Sequence, residues 1–339
     1  MVTDSLSLSM TTPKVLSGPT HQPVSHGETL VIGGRGFLGG ALVRLLCASS
    51  SRTSVLARQP ASDDEPYRSF QGDLCDGESV YRVVQLVKPS RVFHAASLIP
   101  AKANQNIQAM FSTNVIGTLH VLEALLKESP TTRTVLCSSG AVYGESHGGP
   151  LSETSPLQPV TAYGASKVAQ EMGAMSYGAE HALPIIRIRP FNVVGPGEPD
   201  GLVSSAFCRQ VVAAELGLGQ PVVTVGRLDS VRDFTDVRDV ARACLLLSEQ
   251  GSPAEAYNIC SGKPVEIAQL LDLVLHHARV PLRVVERHVP SLLSTDVSYH
   301  TGTYDKLHRV TGWTPAISLE ESLVDLLNWW RERLAGGTA

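Results

Sequence analysis

The sequence predicts an α/β protein, a doubly wound parallel sheet followed by a smaller mixed C-terminal lobe. Three features predict it. From residue 29 onward, short β-branched runs alternate with amphipathic helical segments, and a glycine-rich turn joins the first run to the first helix. Beyond Phe191 the alternation gives way to turn-rich sequence before helices resume.

Taken in order, residues 1–26 are rich in Ser, Thr and Pro and lack a sustained apolar period, so they read as a flexible leader outside the fold. Five strands are expected at Thr29–Ile32, Ser54–Ala57, Arg91–His94, Thr134–Cys137 and Ile185–Arg189. Between them, Phe37–Ala48, Glu78–Val87, Ile107–Lys127 and Tyr163–Gly178 carry apolar residues at helical spacing. Gly195-Pro196-Gly197 and Glu198-Pro199-Asp200-Gly201 then signal turns, ahead of a helix near Val203–Leu216. Val237–Leu247 and Ala256–Cys260 read as a helix and a strand returning to the sheet, and the amphipathic segment Leu319–Leu334 closes the smaller lobe.

At 339 residues and 43% hydrophobic content the chain can build a sizeable core without staples. The formal charge of −4, spread without a Lys/Arg block, argues against nucleic acid as a partner. Six separated cysteines form no zinc or redox pair, so no metal is expected. They fit buried thiols of a reducing compartment. No apolar run approaches the ~18–20 residues of a membrane helix, and no signal peptide is evident, so the expectations are a cytoplasmic protein and no membrane partner.

The turn reads Gly33-Gly34-Arg35-Gly36-Phe37-Leu38-Gly39 and sits between a strand and a helix. That is the context in which such glycines allow a tight turn, close approach of a pyrophosphate and helix–strand packing, as in a Rossmann dinucleotide site. The second strand ends in Arg58, where an acid would hold the ribose diol of NAD, and Arg35 adds a second cation. The pair suits the 2′-phosphate of NADPH, with NADH still open; two solvated arginines are the plainer alternative.

Tyr163 and Lys167 stand four residues apart at the start of a helix, on one face. A cation near a phenol favours the phenolate and brings its pKa toward the working range. Upstream, the fourth strand runs into Ser138-Ser139, at the sheet end where ligands of open α/β folds bind. Ser139 is placed to donate to a substrate carbonyl, or merely to close a turn.

These segments, with Gly72-Asp73-Leu74, Phe93-His94-Ala95-Ala96-Ser97, Asn114-Val115-Ile116-Gly117-Thr118 and Arg189-Pro190-Phe191-Asn192, resemble in order the extended short-chain dehydrogenases/reductases of the sugar-nucleotide epimerase/dehydratase group. The resemblance covers nearly everything after the leader. It implies a catalytic set of Ser139, Tyr163 and Lys167. It also implies cofactor contacts from Gly33, Arg35, Gly36, Phe37, Leu38, Gly39, Arg58, Asp73, Leu74, Ala95, Ala96, Ser97, Asn114, Tyr163, Lys167 and Pro190. Asp73 would lie near the adenine and Lys167 would hold the nicotinamide ribose. Ser97, Ser139 and Asn192 would face the substrate, and the family suggests a homodimer through the Ile107–Lys127 and Tyr163–Gly178 helices.

Members of the group that remove water carry an acidic pair after the catalytic Ser or Thr, where this chain has Gly140 and Ala141. Together with Arg58, this points to net reduction. The later segments, Gly195-Pro196-Gly197, Ser204–Gln210, Arg232–Val240 and Tyr257–Gly262, resemble the branch that reduces GDP-4-keto-6-deoxymannose to GDP-rhamnose. On that reading Arg209 and Arg232 are candidate ligands of the nucleotide's diphosphate or ribose, or else structural ion pairs. Trp313, Trp329 and Trp330 read as packing residues. The expected organisation is a Rossmann NAD(P)-binding domain over 27–190 plus about 231–260, and a substrate lobe over 191–230 plus 261–339. An epimerase, or a reductase of another nucleotide sugar, is the alternative within enzymes. A silent cofactor-sensing module is the alternative outside them.

Overall fold

A computed structural model describes residues 27–59, 65–99, 106–146, 149–287 and 297–337; the expected leader lies outside them. Seven strands form one parallel sheet: β1 (Thr29–Ile32), β2 (Thr53–Ala57), β3 (Arg68–Gln71), β4 (Arg91–His94), β5 (Arg133–Cys137), β6 (Ile185–Pro190) and β10 (Ala256–Ile259). Their order is β3-β2-β1-β4-β5-β6-β10, and every neighbouring pair runs parallel. The chain reverses its direction of travel across the sheet between β1 and β4, which opens a crevice beyond the carboxyl ends of those two strands.

Both faces of the sheet are covered, so its central strands are apolar on both sides rather than alternating. Val31, Val55, Phe93 and Ile186 pack against the helices Phe37–Ala48 and Val237–Gln250, with Leu42, Leu46, Val240 and Leu247 buried between. Leu30, Ile32, Leu56 and Val92 point the other way, onto Gly77–Val87 and Gly117–Glu128. The edge strand β3 was not expected from the sequence. Its residues, Arg-Ser-Phe-Gln, are half-exposed and form a strand because Ser54–Ala57 offers a free edge to pair with.

The expected helix Ile107–Lys127 is interrupted. An α-helical turn, Ile107–Phe111, passes through a π-turn at Ser112–Ile116 before the helix resumes at Gly117. Contrary to the expectation from the sequence, the stretch Ile107–Glu128 is long and apolar enough to cross a membrane by length and composition. In this fold it is a core helix, with Val121, Ala124 and Leu125 packed on Val80, Val83 and Val84.

Beside a two-stranded parallel pair, β8 (Val222–Val225) with β12 (Arg283–Glu286), the smaller lobe is built on a mixed sheet in which β9 (Val231–Asp236) pairs with β7 (Asn192–Val194), β11 (Pro264–Glu266) and β13 (Tyr299–His300). Residues 231–236, which the sequence assigns to the chain's return to the large sheet, therefore belong to the smaller one, and the return begins with the helix Val237–Gln250. Three helices, Val203–Glu215, Ile267–His276 and Leu319–Ala335, enclose a separate core of Phe207, Val211, Leu270, Val274, Leu323, Leu326 and Trp330.

Candidate active site

The glycine turn has the shape its composition demands. Gly33 adopts φ +82° and lies so close to β4 that a Cβ there would stand 2.7 Å from the Ala96 backbone. A Cβ at Gly39 would meet the carbonyl oxygen of Gly33 at 2.1 Å, so Gly39 lets the helix press against the turn. Gly36 begins that helix without a side-chain cap, leaving its first N–H groups for an anion.

From this turn a cleft of about 980 Å³ runs to the smaller lobe. Its walls include Gly33, Arg35, Gly36, Phe37, Leu38, Arg58, Asp73, Leu74, Ala95, Ala96 and Ser97 at one end, and Ser139, Tyr163, Pro190, Asn192, Arg232 and His300 at the other. Volume, uncapped helix start and glycine backbone fit an extended dinucleotide lying beside a second ligand.

The two expected cations differ. Arg58 is exposed on the cleft wall, and its side chain has no partner among the described residues. Arg35 is already engaged: its guanidinium donates to Glu65 at 2.6 Å, to Ser69 Oγ at 3.2 Å and to the Gln59 carbonyl at 2.8 Å. Asn114 departs further from expectation, because it is fully buried behind the cleft rather than on its surface. Its Oδ1 accepts from Ser97 Oγ (3.2 Å) and Leu98 N (2.7 Å), and its Nδ2 donates to Ser166 Oγ (3.0 Å), so it positions Ser97.

Tyr163 opens the helix Ala162–His181, whose N-cap Thr161 accepts from Gly164 N. Burial pushes the phenol up to about 12, the Cys137 thiol adds to the rise, and the nearby hydroxyls of Ser139 and Ser97 oppose it. Lys167, expected to lower the phenol's pKa, is not among the groups that shift it. The Lys167 ammonium lies 5.9 Å from the ring centroid, fully buried, and donates to the Cys137 carbonyl (2.8 Å) and Gln170 Oε1 (3.0 Å). Burial lowers its own pKa to about 8. Behind it, Gln170 Nε2 donates to Thr118 Oγ1 at 2.8 Å, which donates to Asn114 O and also meets His94 Nε2 at 2.9 Å.

Ser139 closes a turn, one of the two roles its position allows. It caps the short turn Gly140–Val142 by accepting from Ala141 N at 3.1 Å, and it lines the cleft. Beneath the helix, Glu171 binds Arg189 through two bonds of 2.9 and 2.6 Å, which fix the helix against β6. Burial alone would raise the Glu171 carboxyl; the bonds from Arg189 outweigh it and hold it below the usual carboxylate range.

Toward the smaller lobe, Asn192 Nδ2 donates to Asp233 O (3.1 Å) and Arg232 donates to the Val297 carbonyl (2.6 Å); both line the cleft. Arg209 does not. It pairs with Asp200 at 2.9 Å in a neighbouring recess beside Trp329, the ion-pair alternative for this residue. Trp313 and Trp330 are buried packing residues that donate to Asp239 O and Ser205 Oγ. Among the cleft residues to which the sequence assigns no role are Phe191, His300 and the buried Glu198, whose carboxyl burial raises to about 8 while Ser204 donates to it at 2.6 Å. His300 and Glu198 lie in segments whose spacing announces no role, and nothing local to Phe191 says that its ring meets His300.

The sequence matches the NAD dependent epimerase/dehydratase family over residues 29–260. It is 30% identical over 308 residues to the GDP-6-deoxy-D-mannose reductase of Pseudomonas aeruginosa, covering 90% of this chain and 97% of that protein. A dTDP-glucose 4,6-dehydratase of Streptomyces niveus is 28% identical, covering 90% and 93%. The structure described as RMD from Pseudomonas aeruginosa complexed with NADPH superposes with a TM-score of 0.79 at 29% identity, over 91% of this chain and 99% of that one.

Proposed function

The chain belongs to the NAD dependent epimerase/dehydratase family, and within it we propose a reductase that uses NADPH on the 4-keto group of a nucleotide-linked 4-keto-6-deoxyhexose, of the GDP-4-keto-6-deoxymannose to GDP-rhamnose type. The observation that carries this reading is the pairing of Ser139 with a protonated Tyr163 in the cleft, followed at 140 and 141 by Gly and Ala instead of acids. Similarity to a GDP-6-deoxy-D-mannose reductase and to a structure holding NADPH supports it.

Bound NADPH supplies the hydride in such a reduction. A phenol whose pKa stands near 12 keeps its proton at neutral pH, and a proton donor must begin in that state. Tyr163 donates that proton to the substrate's ketone oxygen, while Ser139 holds the same oxygen by a hydrogen bond. The Lys167 ammonium, 5.9 Å from the ring, then stabilises the phenolate left behind. Ser97, held by Asn114, contributes a second hydroxyl beside the phenol. Arg58 offers its unpaired guanidinium to the 2′-phosphate that distinguishes NADPH from NADH.

Incubation with GDP-4-keto-6-deoxymannose and NADPH, followed at the nicotinamide absorbance, tests the reading. Stoichiometric NADPH consumption with formation of GDP-rhamnose is expected. Turnover of a UDP-hexose with NAD, without net change in the cofactor's redox state, would replace it by an epimerase.

A further inference from the structure

His300 stands 160 residues along the chain from Gly140, yet the two meet beside Ser139. A Cβ at Gly140 would lie 3.0 Å from His300 Cε1 and 3.1 Å from the Phe191 ring, so the space a side chain at 140 would occupy is filled from the smaller lobe. The imidazole is clamped there. Its centroid lies 4.7 Å from that of Phe191, and Phe191 packs so closely on Gly302 that a Cβ at 302 would stand 2.5 Å from the ring. His300 Nε2 is 3.0 Å from the Gly140 carbonyl oxygen. A carbonyl only accepts, which assigns the ring proton to Nε2 and leaves Nδ1 as a lone acceptor. Burial lowers the His300 pKa to about 4, with Arg232 opposing its charged form, so the ring is neutral near pH 7.

We infer that His300 is a specificity-determining residue of the substrate site, whose Nδ1 accepts a hydrogen bond from a hydroxyl of the sugar held beside Ser139 and Tyr163. The inference deepens the proposed function and rests on its reading of the cleft as a nucleotide-sugar site. A hexose hydroxyl fits because the ring is neutral and clamped and its remaining polar atom, Nδ1, only accepts, on a cleft wall that Ser139 also lines. The charged parts of a nucleotide sugar need cations instead, and Arg232 is the one beside it.

The test compares GDP with GDP-mannose as calorimetric ligands of the NADPH-loaded enzyme, for wild type, His300→Phe and His300→Gln. The phenyl ring keeps the stack on Phe191 but has no acceptor, whereas glutamine restores one. Wild type is expected to bind GDP-mannose more tightly than GDP. His300→Phe should lose about tenfold in affinity for GDP-mannose with GDP affinity unchanged, on the scale of one lost hydrogen bond to a fixed acceptor. His300→Gln should recover part of it. Equal weakening of both ligands would mark a structural role and overturn the inference, as would unchanged affinity for GDP-mannose in His300→Phe. If wild type bound GDP-mannose no better than GDP, the sugar contact would be refuted. Failure of the proposed reduction appears separately, as absent NADPH turnover with GDP-4-keto-6-deoxymannose while the GDP-mannose difference persists.

Discussion

The Lys167 ammonium faces the Tyr163 ring at 5.9 Å from its centroid but spends its hydrogen bonds on the Cys137 carbonyl and Gln170 Oε1. Its charge therefore meets the phenol over the ring face rather than through a hydrogen bond. In this arrangement the phenol keeps its proton, the state from which a general acid acts.

Removing the phenol should be the most damaging small change. Tyr163→Phe is expected to slow reduction by about 10²-fold or more, the scale of general-acid catalysis, while NADPH still binds. Single-turnover kinetics and a fluorescence titration of cofactor give the two quantities. Turnover near wild type would remove Tyr163 from the proposed role.

The pH profile follows from Lys167. Burial lowers its pKa from the ordinary lysine value to about 8, so the ammonium is present below that pH and lost above it. The reduction rate is expected to fall as pH rises through about 8, and Lys167→Met should abolish that limb along with most activity. Gln170→Leu withdraws an acceptor from the ammonium at 3.0 Å, which lowers the lysine further and should move the limb to lower pH. A limb that stays in place in Gln170→Leu would show that Gln170 does not tune the lysine.

Cofactor choice is expected to turn on Arg58. Arg58→Asp replaces an unpaired cation on the cleft wall by an acid suited to a ribose diol. The NADPH-to-NADH ratio of kcat/KM should fall by about tenfold or more, equivalent to about 1.4 kcal/mol. An unchanged ratio would leave Arg58 a solvated surface residue.

Stability should be most sensitive at Glu171. The carboxylate is completely buried and bonded to both Arg187 and Arg189. Glu171→Ala strands two buried guanidiniums and should cost about 3–5 kcal/mol in urea unfolding. A loss under about 1 kcal/mol, the range of exposed pairs, would mean that water replaces the carboxylate.

The helices proposed for dimerisation leave Ile107, Ile116, Met172 and Met175 between 42% and 54% exposed, an apolar face that a second copy would cover. Sedimentation should give a dimer for the wild type and a monomer for Ile116→Glu combined with Met175→Glu. A monomeric wild type refutes the assignment.

The parts of this site carried by one local segment are legible in the amino-acid sequence. The glycine turn is one, since Gly36 and Gly39 answer close contacts with Gly33 inside the turn itself. Tyr163 and Lys167 are another, since helical geometry alone sets them one turn apart. A motif does not tell which face of an element looks at the cleft. Asn114 braces Ser97 from behind, and Arg209 turns to Asp200 in a different recess. The edge strand Arg68–Gln71 is likewise hidden, because its polar residues become a strand only by pairing with β2.

The order of short-range signals in the chain determined the parallel sheet, the dinucleotide-type turn and the identity of the phenol and amine, because each depends on steric limits spanning a few residues. Only the tertiary structure decided the protonation of those groups, which follows from how much solvent the packed lobes exclude. It alone also decided the placement of His300 against Gly140, a contact across a separation of 160 residues that no spacing rule encodes.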